Sequence, residues 1–183
     1  MSTTTVKLIT AEEFGRMPNP EDGSKQELVK GVIVTMPPPT GRHGYIQLRI
    51  GRTIGNFVDE RRLGWVVTES GTILERDPAT VRGPDVSFYS LARQPTPPDD
   101  YFEIPPDLVV EVLSPDDRSG AVRAKIREYI SAGVKLVWLV DPDARTVRVY
   151  RGSIRGVELD ETDTLDGGDV LPEFTCKVAD FFS

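Results

Sequence analysis

Cysteine is nearly missing from this chain: Cys176 is the only one in 183 residues. No internal disulfide can form, and no cysteine-rich zinc site is available. Histidine is as scarce, with His43 alone, so a site built from several imidazoles is excluded too. No apolar run approaches the roughly 20 residues that a membrane-spanning helix needs. The opening Met1-Ser-Thr-Thr-Thr-Val-Lys-Leu-Ile9 lacks the basic and apolar regions of a secretory signal. The expectation is a cytoplasmic protein with no membrane partner. No P-loop, dinucleotide fingerprint or nucleophile-elbow motif is present. Excess positive charge is lacking as well. Lys and Arg number 22 against 29 Asp and Glu, a net charge of −7, which argues against a broad basic nucleic-acid surface. A nuclease is still compatible with that balance, because a bound cation adds positive charge where phosphate must sit.

What is present suits a single domain over residues 1–183, long enough to bury a sizeable core. Thr10-Ala-Glu-Glu13 is a capping box and predicts a short helix to about Met17. Residues 27–36 read as two strands about a Lys30-Gly31 turn. A long helix follows, with Ile46, Ile50, Ile54, Phe57 and Val58 on one face. Residues 65–70 and 72–75 read as a hairpin about Gly71, and 85–89 as a strand. Residues 92–106, rich in Pro and Asp, form a long loop of the kind that often serves as a lid or a partner-binding segment. Leu108-Val-Val-Glu-Val-Leu113 is nearly continuous in apolar residues, as a central strand is. A helix then carries Val122, Ile126, Tyr129 and Ile130 to a stop at Gly133, and strands follow at 134–140 and 146–150. The acidic stretch Asp160–Asp169 reads as an exposed hairpin turn, and a last short helix lies near 178–182. The strand–helix–strand crossover at 108–140 implies a parallel pair inside an otherwise antiparallel sheet. The fold class is α/β (α+β): a mixed β-sheet flanked by helices.

Two acidic residues stand out in this frame. Asp85 follows Pro84 at the entry to a strand, a position to which Asp is poorly suited. Glu111 interrupts a strand that is otherwise apolar. A carboxylate buried there needs a cation, a hydrogen-bond donor or a metal. Lys125 lies on the following helix and shares a face with Tyr129, four residues on. From the border of core and solvent its side chain can reach the Glu111 strand. Converging carboxylates hold hard cations such as Mg²⁺, and a nearby lysine can orient water and stabilise phosphoryl charge. The bland readings are a turn aspartate, a glutamate on a wet edge strand and a snorkelling lysine.

Taken together, the residues resemble a known pattern. Pro84-Asp85 and Glu111 are similar to the PD-(D/E)XK nuclease superfamily, except that Leu113 stands where the lysine is expected. Pro106-Asp-Leu-Val-Val-Glu-Val-Leu-Ser-Pro115, Lys125-Ile-Arg-Glu-Tyr129 and Val137-Trp-Leu-Val-Asp-Pro142 resemble the Uma-type family of restriction-endonuclease-like proteins. In that family the lysine has moved to the helix, where Lys125 stands. Glu27-Leu-Val-Lys-Gly31, Met36-Pro-Pro-Pro-Thr40 with His43, and Leu171-Pro-Glu-Phe174 also fit. The resemblance implies a restriction-endonuclease-like fold and Mg²⁺- or Mn²⁺-dependent hydrolysis of nucleic-acid phosphodiesters, with DNA the expected partner. Asp85 and Glu111 would hold the metal, with the Val112 carbonyl as a further ligand, and Lys125 would act on water. Glu27, in a position acidic in this family, could face the metal. His43 could contact phosphate or assist a proton transfer, and Tyr129 sits beside Lys125. Nucleases of this kind often act as homodimers, since two sites cut two strands. The rival readings are a catalytically weak nuclease fold serving as a binding or assembly module, and a hydrolase of small phosphodiesters.

Overall fold

The structure is a computed structural model that describes residues 7–183. Helix α1 (Ala11–Gly15) opens on the expected capping box: the Thr10 hydroxyl accepts from the Glu13 amide, and Glu13 bonds back to the Thr10 amide. Strands β1 (Lys25–Val29) and β2 (Val32–Met36) form the first hairpin. Its two-residue turn has φ of 49° at Lys30 and 75° at Gly31, the backbone twist that suits paired strands. Gly31 has a second role, since a Cβ there would fall 2.7 Å from Leu8 Cβ. Thr40 caps α2 (Gly41–Arg61), which buries Ile46, Ile50, Ile54 and Val58.

The hairpin expected about Gly71 does not form. Strand β3 (Gly64–Val67) pairs instead with β6 (Val86–Ser90), and β4 (Thr72–Arg76) pairs with β5 (Ala79–Arg82). The short β5 is too brief to announce itself by pattern, yet it offers β4 a partner across a tight link. Gly71 serves close approach rather than a turn: a Cβ there would fall 2.3 Å from the Tyr101 ring.

The chain continues through β7 (Leu108–Val112), α3 (Ser119–Ser131), β8 (Leu136–Asp141), β9 (Thr146–Arg151) and β10 (Gly156–Leu159). Strands β11 (Thr164–Gly167) and β12 (Leu171–Lys177) and a 3₁₀ turn (Val178–Phe181) close it. A four-stranded sheet runs β2-β1-β5-β4 and a six-stranded sheet runs β10-β9-β8-β7-β6-β3. Only β7 and β8 pair in parallel within the larger sheet, and α3 makes their crossover. The acidic stretch Asp160–Asp169 is not one turn. It contains β11, pinned by the buried Leu165. The loop at 92–106 is a strap more than a lid. Phe102 pairs its backbone with β4 and stacks on Tyr89 of β6, ring centroids 3.8 Å apart, tying the two sheets together.

Alternation along β7 decides what reaches the site. Leu108, Val110 and Val112 pack on the α2 side with Trp138, Phe174 and Phe181. Val109 packs with Ile126, Tyr129 and Val137 under α3. Glu111, two residues from Val109, therefore points to the α3 side. No described helix is long and apolar enough to cross a membrane.

Candidate active site

The two sheets meet where β5 hands the chain to β6 through Gly83, Pro84 and Asp85. That short passage places Asp85 beside the end of β7. Its Oδ2 accepts the Val112 amide at 2.7 Å, so the entry to β6 is tied to the Glu111 strand. Glu111 Oε2 receives Lys125 Nζ at 2.9 Å, and Oε1 receives the Tyr129 hydroxyl. Lys125 also lies 3.2 Å from Glu27 Oε1. His43, in the first turn of α2, lies 3.0 Å from the Val112 carbonyl and 3.4 Å from Asp85 Oδ2 through Nε2. Every residue singled out in the sequence thus converges: Asp85, Glu111, Val112, Lys125, Glu27, His43 and Tyr129. Glu27 is not an edge charge, since only 1% of it is exposed.

Other members of the cluster escaped the sequence. Arg82, on β5, donates to Glu27 at 2.7 Å and to Glu128 at 2.6 Å. The Gly83 amide donates to Glu27 Oε1. Lys25 Nζ lies 3.7 Å from Asp85 Oδ1, and Gln47 donates to the Asp85 carbonyl and to Glu69. A signal for Lys25 existed. It precedes Glu27 by two residues on a strand, so the two share a face. Arg82 carried no comparable signal.

The carboxylates do not share one electrostatic fate. Burial alone would raise the Asp85 carboxyl, but the His43 hydrogen bond and the charge of Lys25 reverse this and hold it below the usual range. Burial likewise opposes Glu27, and Lys125 and Arg82 bring it below the usual range. Glu111 goes the other way. Burial raises it, Lys125 counters, and the neighbouring Asp85 and Glu27 charges push it up. His43 is raised, chiefly by its hydrogen bond to Asp85 and against its burial. Burial would lower the Lys125 ammonium, yet Glu111 and Glu27 hold it above its ordinary value. Tyr129 is raised well above its usual range by burial and by Glu111, so its hydroxyl stays a donor.

A cleft of about 610 Å³ opens on this cluster between the β1–β2 hairpin and α3, with Glu27, Arg82, Glu111 and Lys125 in its wall. Buried carboxylates of opposed electrostatic character, with a lysine held among them, are the groups that proton transfer and phosphoryl chemistry use.

The match to known proteins follows the same geometry. The family model Uma2, described as "Putative restriction endonuclease", matches residues 11–179. The chain belongs to the Uma2 family. A crystal structure of "a putative nuclease belonging to DUF820" from Anabaena variabilis is similar to it, with a TM-score of 0.82 and 28% identity. The match covers 95% of this chain and 97% of that one. No curated protein is significantly similar to the chain. The restriction-endonuclease-like Uma2 fold accounts for the element order: α3 crosses between the parallel strands and carries the lysine back over the acidic strand.

Proposed function

We propose that the cleft hydrolyses nucleic-acid phosphodiesters with the help of a divalent cation, Mg²⁺ or Mn²⁺. The observation that carries this reading is Lys125. A helix-borne ammonium is seated on Glu111 at 2.9 Å and Glu27 at 3.2 Å. A snorkelling surface lysine has no reason to be drawn into buried carboxylates.

The donor set fits a hard cation. Asp85, Glu111 and the Val112 carbonyl supply oxygen only. Among the described residues no three His, Cys, Asp or Glu side chains form a metal-holding group. Mg²⁺ commonly takes one or two carboxylates and keeps several waters, so two carboxylates and a carbonyl suffice. A cation there would supply the positive charge that lets phosphate approach and would acidify a water. Lys125 orients that water and offsets the charge that grows on the phosphoryl oxygens. Glu27 and Arg82 hold the lysine in place. Tyr129 fixes the rotamer of Glu111. His43, donating through Nε2, orients Asp85 and the Val112 carbonyl.

Incubation of supercoiled plasmid with the pure protein and Mn²⁺ tests the reading. The expected result is nicking or linearisation by the wild type and none by Glu111→Gln. Equal cleavage by both at matched purity would assign the activity to a contaminant.

One observation favours the rival, a nuclease fold used as a binding or assembly module. Lys25 and Lys125 already stand beside the carboxylates as internal counterions. A melting temperature that ignores Mg²⁺ and Mn²⁺, together with intact plasmid, would put that reading ahead.

A further inference from the structure

The β1–β2 hairpin leaves a strand edge open beside the cleft. Strand β2 is the outer strand of the four-stranded sheet, and among the described residues it pairs only with β1. The two-residue turn makes Val29–Val32, Glu27–Val34 and Lys25–Met36 the hydrogen-bonded pairs of the hairpin. Ile33 and Thr35 therefore turn their amide and carbonyl groups away from β1, to the open edge. Leu28, opposite Ile33, likewise turns its own groups away from β2, to β5. The side chains of the edge are apolar and uncovered, with Val32 48% and Val34 40% exposed.

An open edge pairs with another chain unless charge, proline or a covering segment blunts it. The opposite edge of this sheet is blunted twice: β4 carries Glu75 and Arg76, and Phe102 pairs with its start. In the larger sheet, β10 carries Glu158 and β3 has no exposed residue. Strand β2 has none of these protections. From Gly31 to Gly41 no residue is charged, the longest such run in a chain that is 28% charged. Its prolines, Pro37 to Pro39, follow the strand and do not interrupt it.

We propose that β2 is the docking edge for a second copy of this chain, the two β2 strands pairing antiparallel about a two-fold axis at Val34. The strand is complementary to itself in that register. Ile33 lies opposite the partner's Thr35, and each such pair exchanges both of its outward backbone bonds. On the cleft face Val34 meets the partner's Val34 and Val32 meets the partner's Met36, so every cross-strand contact there is apolar. For a chain of net charge −7, an uncharged seam is where two copies approach with least repulsion. A two-fold contact closes on itself, and the charged β4 edges stop further growth. The two four-stranded sheets become one. Glu27 stands beside Val34 on β1, so the partner's Glu27 lies three strand spacings away, about 14 Å, on the same face. Both clefts open on that face. Two clefts so placed would cut both strands of a duplex; that consequence rests on the phosphodiester reading, and the dimer does not.

Sedimentation velocity of the full chain, in EDTA, tests the dimer without any cleavage. The wild type should self-associate with a Kd of about micromolar or tighter, as specific interfaces do. Thr35→Pro removes an outward amide, a change that an unpaired edge tolerates and the dimer does not. It should weaken association at least about tenfold, the scale of the backbone bonds lost, and circular dichroism melting shows that it folds. The register is tested by cross-linking under mild oxidation. Val34→Cys should link two copies, because facing Cα atoms of a non-bonded pair lie about 4.5 Å apart, within disulfide reach. Val32→Cys is as exposed but should not, since the partner's Val32 lies more than about 13 Å away; Cys176 is common to both variants. A monomeric wild type, wild-type association by folded Thr35→Pro, or equal cross-linking at both positions would overturn the proposal. A dimer with these responses and an intact plasmid would instead overturn the hydrolase reading and leave the interface standing.

Discussion

A buried acid stands at each end of strand β7, Asp107 just before it and Glu111 in its last pleat, and the two ends behave differently. Asp107 and Glu111 are 3% and 9% exposed. Asp107 is saturated. One oxygen accepts the amide and hydroxyl of Ser90, and the other accepts Arg93 and Lys135 at 2.9 and 3.0 Å. Against the effect of burial, these partners hold it below the usual carboxylate range. Glu111 also has two donors, yet it shares them with a crowd of like charge, and its carboxyl is raised. Burial of an acid is therefore no sign of a site by itself. A carboxylate facing more cations than anions is a fastener. One held among other carboxylates is a place where an added cation would lower the energy.

The sharpest way to test that contrast is to neutralise each end. Glu111→Gln should lower metal-dependent plasmid cleavage by at least about 10³-fold while the protein stays folded. Asp107→Asn should retain cleavage per folded molecule and lose about 2 kcal/mol of stability in urea melts, the scale of charged hydrogen bonds removed. Cleavage lost equally in both would erase the distinction.

The next effect is on turnover. Lys125→Ala should reduce kcat by about 10²-fold or more and change apparent metal affinity little, since the lysine serves the transition state. Lys125→Arg should not restore it, because a planar fork replaces a compact ammonium. Normal turnover in Lys125→Ala would leave the lysine as a counterion only.

The ends of β7 should also differ in their response to pH, read as urea stability in EDTA. Glu111 has a raised carboxyl in the folded state, so its contribution is present in full below the unfolded value of 4.5 and is lost as pH rises through the folded pKa. The wild type should gain on Glu111→Gln as pH falls through that window. Asp107 has a lowered carboxyl, so its contribution is present above the unfolded value of 3.8 and is lost as pH falls through the folded pKa. The wild type should lose its advantage over Asp107→Asn in acid. Slopes of one sign for both pairs would contradict the electrostatic contrast.

The smallest effect concerns His43. Being the sole histidine, it gives one imidazole signal in NMR. It should titrate above the ordinary 6.5, and Asp85→Asn should bring it down, because Asp85 is the main cause of the shift. An unchanged titration would separate His43 from the cluster.

The sequence by itself determined the elements with strong periodicity and the groups with unusual surroundings. The capping box, the α2 stripe, the β7–α3–β8 crossover, and the acids at Asp85 and Glu111 are local patterns, and local patterns are legible because neighbouring residues set them. The partner of each strand was not legible in the same way. Pairing of β3 with β6 and β4 with β5 depends on a four-residue strand and on Tyr101 filling the space at Gly71, both decided by packing. The company of Glu111 was decided there too. Arg82 and Lys25 come from the other sheet and join the charged cluster only once the two sheets meet at Gly83–Asp85. A sequence shows which residues carry charge. Whether those charges cancel or crowd depends on distances between elements far apart in the chain, and those distances exist only in the folded state.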